Sequence, residues 1–222
     1  MGLVLVPGTS GSLALLPVTC YLLLMISIGL TGGIASGKSQ VGRFLTALGA
    51  YVVDADRVAH EAYAAGTDGF DMLVGAFGNS IVGDDGAIDR RQLGAIVFGD
   101  PERLVQLTGI VWPLARRRVE TLQAEQRALG TPVFVVEAPL LYDAGWQDLF
   151  DEVWLVRSSR DAVLARLEGR SLSAADAKAR LAAATSNDEA ARRADVVIDN
   201  DGSLAGLEAR VGREWQRLVP EG

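Results

Sequence analysis

Cysteine and histidine are almost absent, with Cys20 and His60 the sole members of their kinds among 222 residues. One cysteine excludes an internal disulfide framework and a cysteine-based zinc site, and one histidine excludes a multi-histidine metal cluster. A reducing cytoplasm is the compartment that suits such a chain. Positive charge is also in short supply: 21 Lys and Arg face 28 Asp and Glu, for a net charge of -7. A nucleic-acid surface needs a broad basic face, so no nucleic-acid partner is expected. A small phosphorylated ligand held in a local pocket of N–H groups, Lys and Arg fits this balance better.

Charge is wholly missing before Lys38. A secretory signal would open on Lys or Arg, and none is present. A membrane span needs about 20 apolar residues, and Pro7, Gly8 and Pro17 interrupt this stretch. A myristoylation site would carry Ser or Thr where Val6 stands. Met25 is therefore read as the natural start. Residues 1–24 are expected to lie outside the fold, as an upstream over-extension or a disordered tail without stable membrane association. The chain as a whole has globular composition, 49% apolar and 22% charged. It shows no internal repeat or low-complexity linker, and its length suits one domain with a modest insertion. No feature of the sequence fixes an oligomeric state.

The run Gly32-Gly33-Ile34-Ala35-Ser36-Gly37-Lys38-Ser39 fits G-x-x-x-x-G-K-[ST]. Ile26-Ser27-Ile28-Gly29-Leu30 before it reads as a buried parallel strand. After it Val41, Phe44, Leu45 and Leu48 share one helix face, and Gly49 takes the place of a C′ glycine. Glycines at such a strand-to-helix turn let backbone N–H groups converge on a phosphate, aided by the positive end of the helix dipole. The motif implies a nucleoside triphosphate, with Lys38 reaching its β- and γ-phosphates and the Ser39 hydroxyl on Mg²⁺. Gly32 to Ser39, followed by Gln40, are the candidate nucleotide-binding residues.

Four further apolar, β-branched runs follow: Tyr51–Val53, Val133–Val136, Val153–Val156 and Val196–Ile198. Helical sequence separates them, which predicts an α/β fold with a parallel sheet of about five strands covered on both faces. Residues 57–130 read as a helical, substrate-binding insertion, in which Asp100-Pro101 is an N-cap followed by proline at the first helical position. Residues 159–193, rich in Arg and Ala, read as a lid. Leu204, Leu207, Val211, Trp215 and Leu218 give the last helix an apolar face.

Asp54 and Asp56 close the second strand, where open α/β sheets bind ligands. Two carboxylates there suit a division of labour, one helping to hold Mg²⁺ and one accepting a hydroxyl proton; a helix N-cap is the other reading. Glu137 ends the third strand, placed either to order Mg²⁺ waters or a substrate hydroxyl, or simply to emerge at the sheet edge. Arg166 and Arg170, one turn apart, can point the same way from a lid helix and neutralise phosphate charge. His60 reads as a packed or surface histidine.

The chain resembles the dephospho-CoA kinase family from Met25 nearly to its end. The resemblance rests on Leu30 to Ser39, Val52-Val53-Asp54-Ala55-Asp56, Asp89 to Phe98, Ala138-Pro139-Leu140-Leu141 and Ala194 to Asn200. It implies a nucleotide core, a helical substrate domain and a lid, and transfer of phosphate from ATP to the ribose 3′-hydroxyl of dephospho-CoA, the last step of coenzyme A synthesis. By matching position Asp56 is implied as general base, Lys38 and Ser39 as phosphate and Mg²⁺ contacts, Arg170 as a lid arginine, and the Asp199-Asn200 turn as lying near the adenine. Gln40, Trp112, Ala184 and Ala190 depart from the family's usual Thr, His, Gln and basic residue. On the motif alone, a kinase for another small alcohol or nucleotide, or a nucleotide-binding protein weakened in catalysis, remain alternatives.

Overall fold

The structure, a computed structural model, describes residues 3–7, 13–17, 25–168 and 187–220. The chain divides into two units. One is drawn from Met1–Val53 and Gln123–Gly222, the other is Asp54–Leu122.

In the first unit the five apolar runs form β3 (Ile26–Thr31), β4 (Tyr51–Asp54), β5 (Val133–Glu137), β6 (Glu152–Arg157) and β7 (Val196–Asp199). Their order is β4-β5-β3-β6-β7, so the strand leading into the glycine-rich loop is central. It pairs in parallel with β5 on one side (Ile28 opposite Val135) and β6 on the other (Leu30 opposite Trp154). β6 continues in parallel to β7. Alternation along the strands turns Ile28, Leu30, Val133, Val135, Trp154, Val156 and Ile198 to one face. There they meet Val41 and Leu45 of α1 (Lys38–Ala47) and Leu207, Val211, Trp215 and Leu218 of α8 (Leu204–Leu218). The other face is buried too, through Phe134, Val136 and Leu155. Gly29 there leaves room for Leu141 and Phe150, whose carbons lie 2.5 and 2.7 Å from any Cβ it carried.

Helix periodicity correctly gives the inward side but overstates its edges. Leu48 and Leu204 are 41% and 60% exposed. Leu48 is the C-terminal cap of α1 and Leu204 directly follows the N-cap Ser203 of α8, so each hangs off a helix end beyond the sheet's cover. Gly49 does sit at C′ with φ of 107°. The Ala50 N–H bonds to Leu45 O and the Gly49 N–H to Thr46 O, the paired bonds of a Schellman motif. Upstream, β1 (Leu3–Pro7) and β2 (Leu13–Pro17) pair antiparallel in a two-stranded sheet of their own.

The second unit is helical: α2 (Ala55–Ala62), α3 (Asp68–Phe77), α4 (Arg90–Val97) and most of α5 (Pro101–Ala128). Its core joins Leu73, Phe77, Ile81, Leu93, Val97 and Val111. Each helix start is capped by a side-chain oxygen. Asp54 Oδ1 accepts from Asp56 N, Thr67 Oγ1 from Phe70 N, Asp89 Oδ1 from Arg91 N, and Asp100 Oδ1 from Glu102 N at 3.0 Å. Such caps contribute roughly 0.5–2 kcal/mol each. In the first unit α6 (Arg160–Glu168) and α7 (Asn187–Arg193) fall within the segment read as a lid. Among the described residues no helix is long and apolar enough to cross a membrane.

Candidate active site

The loop from Gly32 to Gly37 joins the central strand to α1 and is shaped by two glycines that tolerate no side chain. Gly32 has φ of 146°, and a Cβ there would strike the Val156 carbonyl of β6. Gly37 has φ of 101°, and a Cβ there would strike the amide of Asn200. Gly37 is also the N-cap of α1 and offers no side-chain acceptor. The first N–H groups of that helix therefore have no side-chain cap, the condition under which a helix start binds an anion. Ala35, with φ of 53°, is the sole non-glycine among the described residues in the left-handed region. That conformation costs about 1–2 kcal/mol for an L-residue, and such outliers concentrate at functional sites.

Lys38, 9% exposed, directs its ammonium back over the loop, donating to Gly32 O at 2.6 Å and Gly33 O at 2.9 Å. It is one of two lysines in the chain. Ser39 Oγ donates to Glu137 Oε1 at 2.7 Å, across 98 residues of sequence. Glu137 thus does more than emerge at the sheet edge, because its carboxylate meets the hydroxyl expected on Mg²⁺. A hydroxyl and a carboxylate are hard oxygen donors, and Mg²⁺ takes one or two such groups plus substrate phosphates, keeping several waters. Among the described residues no cluster of three or more His, Cys, Asp or Glu offers a fuller cage. The donor set fits Mg²⁺. The loop likewise fits a polyphosphate: the Ser36 hydroxyl is buried without a hydrogen-bond partner among the described residues, a donor suited to an anionic oxygen.

Behind the loop lies a polar network that sequence reasoning missed. Asn200, 8% exposed, donates from Nδ2 to Ser36 O at 2.8 Å. Ser158 Oγ, just past β6, lies 3.2 Å from Ser36 O and 2.8 Å from Asn200 O. Arg166 of α6 donates to Ala35 O, Ser36 O and Ser158 Oγ from Nη1 and to Asn200 O from Nη2. The Arg166 guanidinium thus binds carbonyls of the loop and of the Asn200 turn beside it. Arg170 and Ala184 lie outside the described residues. Gln40 accepts from Arg43, Trp112 is half-buried on α5, and Ala190 lies on α7.

In the second unit Asp54 realises the capping reading through Oδ1, which accepts from Asp56 N at 2.9 Å and Arg57 N at 3.4 Å. Asp56 occupies the first turn of α2, exposed, and its carboxylate accepts no hydrogen bond from the described residues. One turn on, His60 Nδ1 lies 3.2 Å from Arg90 Nη1, and its ring meets Tyr63 edge-on. Burial, and then the Arg90 charge, hold the His60 pKa below 6.5, with Asp56 and Asp54 partly opposing them. Burial raises the Tyr63 phenol above its usual value. Nothing local in the sequence links His60 to Arg90, which are 30 residues apart.

The family model described as dephospho-CoA kinase matches residues 26–206. Among curated relatives, the dephospho-CoA kinase of Geobacter sulfurreducens is 46% identical over 194 residues, covering 87% of this chain and 98% of that protein. The dephospho-CoA kinase of Symbiobacterium thermophilum is 46% identical over 190 residues, covering 85% and 80%. Among solved structures, TT1252 from Thermus thermophilus superposes with a TM-score of 0.73 at 34% identity, covering 88% of this chain and 98% of that one. A shikimate kinase from Bacteroides thetaiotaomicron, at 15% identity and a TM-score of 0.51 over 89% of this chain and 100% of that one, shares the fold. With loop, lysine and serine–carboxylate pair in place on a parallel sheet, and matches spanning most of its length, the chain belongs to the dephospho-CoA kinase family.

Proposed function

We propose that this protein transfers the γ-phosphoryl group of ATP to the ribose 3′-hydroxyl of dephospho-CoA, giving coenzyme A and ADP in the cytoplasm. The observation that carries the reading is the convergence of Lys38 and the Ser39–Glu137 pair on one glycine-shaped loop. The loop's N–H groups and Lys38 hold the polyphosphate, and Ser39 and Glu137 hold Mg²⁺, with Asp54 as a further candidate ligand. Bound there, Mg²⁺ supplies charge neutralisation on the phosphate oxygens. Asp56 accepts the proton as the 3′-oxygen bonds to the γ-phosphorus and the bond to the β,γ-bridging oxygen breaks. Arg170 absorbs charge on the transferring group, and the Asp199-Asn200 turn borders the adenine. Residues 57–130 present the substrate and 159–193 serve as the lid.

The test is mass-spectrometric detection of coenzyme A after mixing the full chain with dephospho-CoA and MgATP, beside a Lys38→Ala control. Product that depends on Lys38 is the expected result. Folded, ATP-binding protein that yields none rejects the acceptor.

A further inference from the structure

Among the described residues Arg166 makes four hydrogen bonds, and every acceptor lies on the loop 32–37 or on the two segments that wall it. They are Ala35 O at 3.1 Å, Ser36 O at 3.4 Å, Ser158 Oγ at 2.8 Å and Asn200 O at 2.5 Å. The Ser36 carbonyl is the hub, approached also by Asn200 Nδ2 and Ser158 Oγ. A trans peptide holds its N–H antiparallel to its C=O. Fixing the Ala35 and Ser36 carbonyls toward α6 therefore turns the N–H groups of Ser36 and Gly37 to the opposite side, the interior of the loop, where the Ser36 N–H meets Gly33 O at 3.3 Å. The same bonds hold Ala35 in its left-handed conformation, which an alanine does not keep unaided. Ile34 and Ala35 also pack on Val163 and Leu167 of α6, so the helix grips the loop by apolar as well as polar contacts.

From this geometry we infer that Arg166 is a positioning residue for the nucleotide loop: it pre-shapes the phosphate cradle through backbone carbonyls and need not touch the nucleotide itself. The inference rests on the reading that residues 32–39 bind ATP. A guanidinium suits the task because its rigid fork of five donors reaches several carbonyls at once, which an ammonium on a flexible stem does not. Its loss should therefore weaken polyphosphate binding and leave the acceptor's KM in place.

ADP affinity is measured by calorimetry for wild type, Arg166→Ala and Arg166→Lys, with the thermal midpoint of each. The expected result is a rise in Kd of about 10- to 100-fold for Arg166→Ala, with a smaller rise for Arg166→Lys. Free guanidinium ion at low millimolar concentration should recover part of the loss, whereas urea, similar in shape but neutral, should not. Guanidinium rescue also excludes a variant that merely fails to fold. Unchanged ADP affinity in a folded Arg166→Ala, or equal recovery with urea, overturns the positioning role while leaving the nucleotide reading intact. Wild-type protein that does not bind ADP overturns the nucleotide reading and this inference with it.

Discussion

Asn200 Nδ2 occupies the place where a side chain at position 37 would begin, so the end of β7 and the start of α1 fit together only when residue 37 is glycine. The two residues lie 163 positions apart in the chain, yet the amide that blocks a Cβ also bonds to the Ser36 carbonyl. Gly37→Ala therefore meets two penalties, the left-handed φ of 101° and the collision with Asn200. Chemical denaturation should show a loss of about 1–3 kcal/mol, accompanied by a marked rise in KM for ATP. Adding Asn200→Ala relieves the collision but not the backbone strain. The double variant should thus be less destabilised than the two single losses summed, and strict additivity would show that the contact does not matter.

The Ser39–Glu137 bond gives a second prediction. If the pair holds Mg²⁺ together, Ser39→Ala and Glu137→Gln should each raise the Mg²⁺ concentration for half-maximal activity, and the double variant should add little. Chelation of Mg²⁺ should abolish turnover in wild type. A Glu137→Gln enzyme with unaltered Mg²⁺ dependence would reduce the pair to a structural tie between β5 and α1.

Much of this was legible in the sequence, and the part that was not has two physical causes. The five strands, the loop, the Gly49 stop and the Asp100-Pro101 start are encoded within a few residues, by β-branched runs, backbone-permissive glycine and capping oxygens. Ser39–Glu137, Asn200–Ser36 and Arg166–Ala35 are separated by 98, 164 and 131 residues. No local pattern marks which arginine among many will find a carbonyl. Helical spacing also places side chains by angle only, so it cannot distinguish Leu45, fully buried, from the exposed Leu48 at the C-terminal end of the same stripe.

His60 supplies a third prediction, made simple because it is the chain's one histidine. Its folded pKa lies below 6.5, through burial first and the Arg90 charge second. A lowered base is neutral over a wider range when folded than when unfolded. Above pH 6.5 both states are neutral and stability is at its full value. As pH falls below 6.5 the unfolded chain takes up a proton that the folded chain refuses, and stability declines until the folded midpoint is passed. The imidazole NMR signal should titrate with a midpoint below 6.5, and Arg90→Ala should move that midpoint up. A downward move would show that Arg90 is not the cation facing the ring.

Asp56 is the sharpest assignment to test, because its carboxylate stands exposed in the first turn of α2 without a hydrogen bond from the described residues, while that of its neighbour Asp54 is occupied as the cap. A proton acceptor needs such a free carboxylate, and replacing it by an amide of the same shape removes basicity with little change in packing. Asp56→Asn should lower kcat by about 10²–10⁴ with ADP affinity unchanged. His60, one turn away, reports whether the change is local: the Asp56 charge favours its protonated form, so its midpoint should fall further in the variant. Slow turnover with intact nucleotide binding and a lower His60 midpoint describes a folded enzyme that has lost its base. Near-normal turnover with the same His60 shift would assign the proton to another acceptor and leave Asp56 an electrostatic neighbour of the histidine.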